Sequence, residues 1–155
     1  ASMGGYGALK LALSRPERYG ACAAFSSPCL FLQEGLAYQR EREASGEFRA
    51  AYGDRLINDF HAIFGPALEW RERDDVLALA RKAASAPARP RVYLACGTAD
   101  PFLADNRRFA AELARLGLEA EYEERPGSHE FRFFDAALER ALERLLGERS
   151  ASGGP

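Results

Sequence analysis

Three residues of this chain have the side chains that nucleophilic catalysis needs, and they are spread over nearly its whole length: Ser2, Asp100 and His129. A serine hydroxyl is a weak nucleophile at neutral pH. It needs a base within hydrogen-bond reach and a third group that orients the base. Ser2 lies in Ala1-Ser2-Met3-Gly4-Gly5, an S-x-G-G run at the head of a helical segment. Small neighbours suit a serine carried on a tight strand-to-helix turn. A serine at a helix start also suits a plain N-cap.

The base has few candidates, because the chain holds 2 histidines. His129 falls in Arg125-Pro126-Gly127-Ser128-His129-Glu130, a loop after the last predicted strand and before the last predicted helix. From such a loop an imidazole can reach over the C-terminal end of a parallel sheet, where ligands of open α/β sheets bind. A solvent-facing imidazole is the alternative. His61, between Phe60 and Ile63 in an irregular stretch, is read as a surface residue. Asp100 lies in Cys96-Gly97-Thr98-Ala99-Asp100-Pro101-Phe102, a turn directly after a buried strand. A carboxylate there can accept a hydrogen bond from the imidazole. Asp105 is its near rival, but it falls in the first turn of the next helix as a cap or dipole partner.

These residues need elements to position them. Met3 to Leu13 reads as a helix with Leu9, Ala12 and Leu13 on one face, ended by Arg15-Pro16. Gly4, Gly5 and Gly7 are costly in that helix, which implies close approach to a neighbour. Tyr19 to Ser26 is small and apolar and reads as a buried parallel strand. Cys29 to Pro66 is charged, aromatic and the least regular stretch, with short helical patterns; it suits a lid or insertion over 29–66, or an ordinary surface excursion. Asp74 to Ala84 reads as a helix capped by Asp74 or Asp75. Arg91 to Cys96 is a buried strand, and Ala104 to Leu116 a helix with Phe109, Leu113 and Leu116 inward and Gly117 at C′. Leu118 to Glu124 alternates as a strand nearer the sheet edge. Phe131 to Leu146 is the last helix, with Phe134, Leu138, Leu142 and Leu145 as its apolar stripe. Residues 150–155 read as a frayed tail.

Helices alternating with three strands argue an α/β fold with a parallel sheet. The chain order Ser, Asp, His is that of the α/β-hydrolase fold. The run Ser2-Met3-Gly4-Gly5-Tyr6-Gly7-Ala8-Leu9-Lys10-Leu11-Ala12-Leu13 closely resembles the nucleophile elbow of the esterase D family, in particular its tributyrin-esterase-like branch. Cys96 to Asp100, followed by Phe102-Leu103 and Asp105-Asn106, resembles that family's acid loop. Pro126-Gly127-Ser128-His129-Glu130-Phe131 resembles its histidine loop. The resemblance implies hydrolysis of small carboxylic esters through an acyl-enzyme, with no metal and no organic cofactor. It implies Ser2, Asp100 and His129 as catalytic triad and the Met3 backbone N–H as one oxyanion donor. The elbow's leading Gly, the strand before it and the loop giving a second donor have no counterpart here. The chain is therefore expected to be the C-terminal part of the fold, residues 1–149, with about three strands and its partner the missing N-terminal half.

Composition narrows the rest. Apolar residues are 47% and charged residues 28% of the 155, and the net charge is −2. That balance gives no broad electrostatic draw toward nucleic acid or an anionic membrane. No apolar run approaches the ~18 residues of a membrane span. Cys22, Cys29 and Cys96 have no zinc-site or disulfide-framework spacing and read as reduced thiols, which leans toward the cytoplasm. Two further readings remain open: acyl transfer through the same triad, and a non-catalytic α/β-hydrolase fragment serving as a binding or structural module.

Overall fold

Three strands run parallel in the order β1-β2-β3, formed by Ala21–Phe25, Arg91–Gly97 and Ala120–Arg125. They belong to a computed structural model that describes residues 1–147; the tail expected over 150–155 lies outside the described residues. β2 is central, and its side chains alternate between two cores, as period-2 pleating requires. Val92 and Leu94, with Ala24 of β1, join Tyr6, Leu9, Leu13, Phe109 and Leu113 on one side. Tyr93 and Ala95, with Phe25, join Phe133, Ala137 and Ala141 on the other. Cover on both faces is why Arg-Val-Tyr-Leu-Ala-Cys-Gly is almost continuously apolar.

The first face is covered by α1 (Ser2–Ser14), α4 (Val76–Ala84) and α5 (Leu103–Arg115). Leu9, Ala12 and Leu13 of α1 are buried as expected. The steric reason for a glycine is found at Gly5, where an added Cβ would sit 2.1 Å from Ser27 Oγ and 3.3 Å from the Phe25 backbone nitrogen. Gly4 and Gly7 have nothing within 4 Å of such a Cβ, so the expectation fails for them. Asp75 caps α4, accepting from the N–H groups of Leu77 at 2.9 Å and Ala78 at 3.1 Å. Asp74 instead ties α1 down: Tyr6 donates to its carbonyl at 2.7 Å, and Lys10 pairs with its carboxylate.

The strand read over 19–26 forms β1, with Ala24 and Phe25 buried and Ala21 exposed, and it pairs with β2 alone among the described residues, leaving one edge open. Two elements differ from the sequence reading. The irregular 29–66 stretch folds into α2 (Phe31–Arg42) and α3 (Glu47–Phe64). α3 is broken at Gly53, whose φ of +79° is a left-handed conformation open to glycine, and the break resets the phase of its apolar pattern. Leu32, Leu36, Phe60 and Phe64 still reach the core, and Phe64 packs on Trp70 with ring centroids 5.9 Å apart. α6 (Phe131–Leu146) covers the second face, but turned from the expected stripe. It buries Phe133, Ala137 and Ala141, while Leu138 and Leu142 are about half exposed. Arg140, paired with Glu123 of β3 at 2.9 Å, holds that rotation, and the small alanines let the helix lie close to the strands. Among the described residues, no helix is long and apolar enough to cross a membrane.

Candidate active site

Ser2 opens α1 with φ of +49°, a backbone region that non-glycine residues rarely occupy. Such conformations cost about 1–3 kcal/mol and persist where surrounding structure over-determines them. Two contacts hold this one. Ser27 Oγ donates to the Ser2 carbonyl at 3.0 Å. Ser27's own carbonyl accepts from Asn106 Nδ2 at 2.9 Å, and both residues are fully buried. The Ser2 hydroxyl makes no cap bond to the helix. It lies 3.0 Å from His129 Nε2.

His129 Nδ1 lies 3.0 Å from Asp100 Oδ2. With Asp100 ionised, Nδ1–H donates to the carboxylate, which leaves Nε2 as the acceptor of the serine proton. The Asp100 side chain is entirely buried. Its other oxygen, Oδ1, accepts from the Phe102 N–H at 2.8 Å, a local turn that fixes the carboxylate beside Pro101. The acid and histidine loops are joined through their backbones: Thr98 N–H donates to the Arg125 carbonyl and Ala99 N–H to the Gly127 carbonyl, each at 2.9 Å. Gly97 permits that contact, because an added Cβ would lie 2.4 Å from the Gly127 oxygen. The imidazole stands edge-on between Phe102 and Phe134, with centroids 5.5 and 5.2 Å away.

The structure thus brings Ser2, His129 and Asp100 into one hydrogen-bonded chain at the sheet's C-terminal end. The Met3 N–H, next after Ser2, belongs to the first turn of α1, where backbone donors lack intrahelical acceptors. The other two candidates are elsewhere. His61 faces Glu43, with Nε2 2.8 Å from Oε1. Asp105 is buried, and its carboxylate accepts from the N–H groups of Leu30 and Phe31 at the start of α2. Burial pushes its carboxyl above the usual range, against those hydrogen bonds. Ser27 and Asn106 were not singled out from sequence; the one trace of Ser27 is the glycine at position 5 that makes room for it. The three thiols are unpaired, and burial pushes Cys22 up to about 12 and Cys96 to about 11, so neither is a ready nucleophile. Among the described residues, no group of three or more His, Cys, Asp or Glu side chains is placed to hold a metal ion.

A family model described as "Putative esterase" matches residues 1–145. The acetyl esterase of Caldicellulosiruptor saccharolyticus is 28% identical over 143 residues, which cover 92% of this chain and 51% of that protein. Among solved structures, the fluorophosphonate-binding serine hydrolase F of Staphylococcus aureus superposes with a TM-score of 0.64 at 24% identity, over 91% of this chain and 50% of that one. The S-formylglutathione hydrolase of the same organism gives a TM-score of 0.59 at 24% identity, over 91% and 47%. These two superpositions speak to the fold. The chain spans about half the length of the curated relative it matches.

Proposed function

Because the chain belongs to the esterase family whose model it matches over residues 1–145, we propose that it carries the triad of a serine carboxylesterase acting on small esters. The observation that carries this reading is the Ser2–His129–Asp100 chain, two links of 3.0 Å each, on a serine held at a positive φ. In the proposed mechanism His129 Nε2 takes the hydroxyl proton as Ser2 Oγ attacks the ester carbonyl. Asp100 keeps Nδ1 protonated and stabilises the imidazolium. The Met3 N–H donates to the oxyanion. His129 then gives its proton to the departing alkoxide, which leaves as alcohol. Water, deprotonated by the same nitrogen, attacks the acyl-enzyme, and Ser2 recovers its proton as the carboxylic acid departs.

A second oxyanion donor, and a strand to pair with the bare edge of β1, are assigned to a further segment of the same fold. That assignment rests on the open edge and on the length of the relatives. The residues at 29–66 are assigned to a cover over the site. A fluorophosphonate probe tests the central claim. Labelling at Ser2 that disappears in Ser2→Ala and in His129→Ala is expected. Equal labelling of the Ser2→Ala protein would overturn the assignment.

A further inference from the structure

We propose that Asn106 is a positioning residue for the triad, because its side-chain amide closes a hydrogen-bonded circuit through Ser2, His129 and Asp100. The proposal rests on the esterase reading and adds a residue to it. One arc of the circuit is the triad itself, from Ser2 Oγ through the imidazole to Asp100 Oδ2. The other arc runs behind it. Asp100 Oδ1 accepts from the Phe102 N–H at 2.8 Å. Asn106 Nδ2 donates to the Phe102 carbonyl and to the Ser27 carbonyl, each at 2.9 Å. Ser27 Oγ donates to the Ser2 carbonyl at 3.0 Å, which returns the path to the nucleophile. Both hydrogens of one NH2 group thus join the acid loop to the segment that braces Ser2.

Hydrogen-bond satisfaction alone does not call for this amide. The Phe102 carbonyl also accepts from the Asn106 backbone N–H, and the Ser27 carbonyl from the Cys29 N–H, each at 2.9 Å. Asn106 is fully buried, and its Oδ1 accepts from no described residue, which is a cost to the fold. What the amide adds is geometry. Ser26, fully buried at φ of +48°, turns the chain at the end of β1 just before Ser27, and Ser2 itself stands at φ of +49°. Such conformations persist only where their surroundings over-determine them. Asn106 supplies that hold from a rigid element, the first turn of α5. Without its amide the acid loop and the nucleophile keep their separate anchors, but the distance between them is no longer set. Displacements on the order of 1 Å are enough to slow catalysis severely.

Asn106→Leu is the test, since leucine keeps much of the volume and discards both donors. Its urea midpoint should be no lower than that of the parent chain, because neither carbonyl loses its last donor and the unpartnered oxygen is removed. For p-nitrophenyl acetate we expect kcat to fall about tenfold with KM within about twofold. Adding Ser27→Ala should cost little more, because both changes open the same arc. Proton NMR gives a readout that needs no turnover. The His129 Nδ1–H resonance, identified by its loss in His129→Gln, should move or broaden in Asn106→Leu. Asn106→Ala carries the same kinetic and NMR measurements if leucine unfolds the chain. An unmoved resonance, an unchanged kcat, or a loss that adds in full to that of Ser27→Ala would overturn the circuit. Ester turnover by the parent chain would then still leave the esterase reading standing. A resonance that moves in the variant, with no ester hydrolysed by either protein, would keep the circuit and overturn the esterase reading.

Discussion

His129 has a partner on each nitrogen, and the acid side sets the tautomer. Asp100 Oδ1 already holds the Phe102 N–H, so Asp100→Asn would keep its oxygen there and turn its NH2 toward His129 Nδ1. The ring would then accept at Nδ1 and carry its proton on Nε2, unable to take one from Ser2. We expect ester kcat to fall by about 10⁴ with the fold intact, checked by steady-state kinetics beside circular dichroism. Ser27 acts one bond further out. Ser27→Ala removes the donor to the Ser2 carbonyl, so the strained serine relaxes. A loss of about 1 kcal/mol in urea unfolding, with kcat falling about tenfold at unchanged KM, is expected; a KM change alone would speak against a positioning role. The meeting of Ser2, Asp100 and His129 was legible in the sequence because Asp100 and His129 each follow a recognisable strand and Ser2 heads an S-x-G-G run at a helix start. Ser27 was not, because its bond to Ser2 exists only once α1 lies against β1. Phe102 stood within the quoted acid-loop run and Phe134 in the apolar stripe of the last helix, yet their place as walls of the imidazole slot is a matter of three-dimensional geometry.

At the scale of elements, α2 and α3 are clamped by His61 and Glu43. The hydrogen bond that His61 Nε2–H donates to the Glu43 carboxylate raises the His61 pKa above its ordinary 6.5. Gln39 and then His61 lower that of Glu43 below its ordinary 4.5. A raised histidine contributes stability that is complete below its unfolded pKa and fades as pH rises through the folded one. A lowered glutamate contributes above its unfolded pKa and fades as pH falls. The clamp is therefore strongest between about 4.5 and 6.5. His61→Gln should reduce the urea midpoint most near pH 5.5, with the difference shrinking toward pH 8, in unfolding curves taken across that range. The central strand and α5 were legible, since Val92 to Cys96 and Phe109 to Leu113 carry their burial in plain apolar periodicity. The turn of α6 was not. Its leucines are the stronger apolar signal, yet Ala137, Ala141 and the Arg140–Glu123 pair decide which side meets the sheet. α2 and α3 were obscured by charged residues on their outer faces and by the break at Gly53.

At the scale of the molecule, two apolar features lie open. β1 has one unpaired edge among the described residues, and α6 presents Leu138, Leu142 and Leu146 at 48%, 49% and 59% exposure. An open edge and an apolar helix face both invite association. We expect the chain to self-associate at micromolar concentration. Leu138→Glu combined with Leu142→Glu should shift it toward monomer in light scattering, with unchanged circular dichroism, because both side chains point away from Phe133, Ala137 and Ala141. An unchanged mass distribution would show that the α6 face takes no part.

The contact of Trp70 with Phe64 has an optical consequence. The chain has 1 tryptophan, and its ring lies against the end of α3, 5.9 Å from Phe64. Emission excited at the red edge of the absorption band therefore comes from a fluorophore that senses the helical pair rather than the sheet. Lifting of α2 and α3 from the strands would shift that emission to longer wavelength while the ellipticity of the strands persisted. A built-in lamp at position 70 thus separates a movement of α2 and α3 from unfolding of the body, without an added dye.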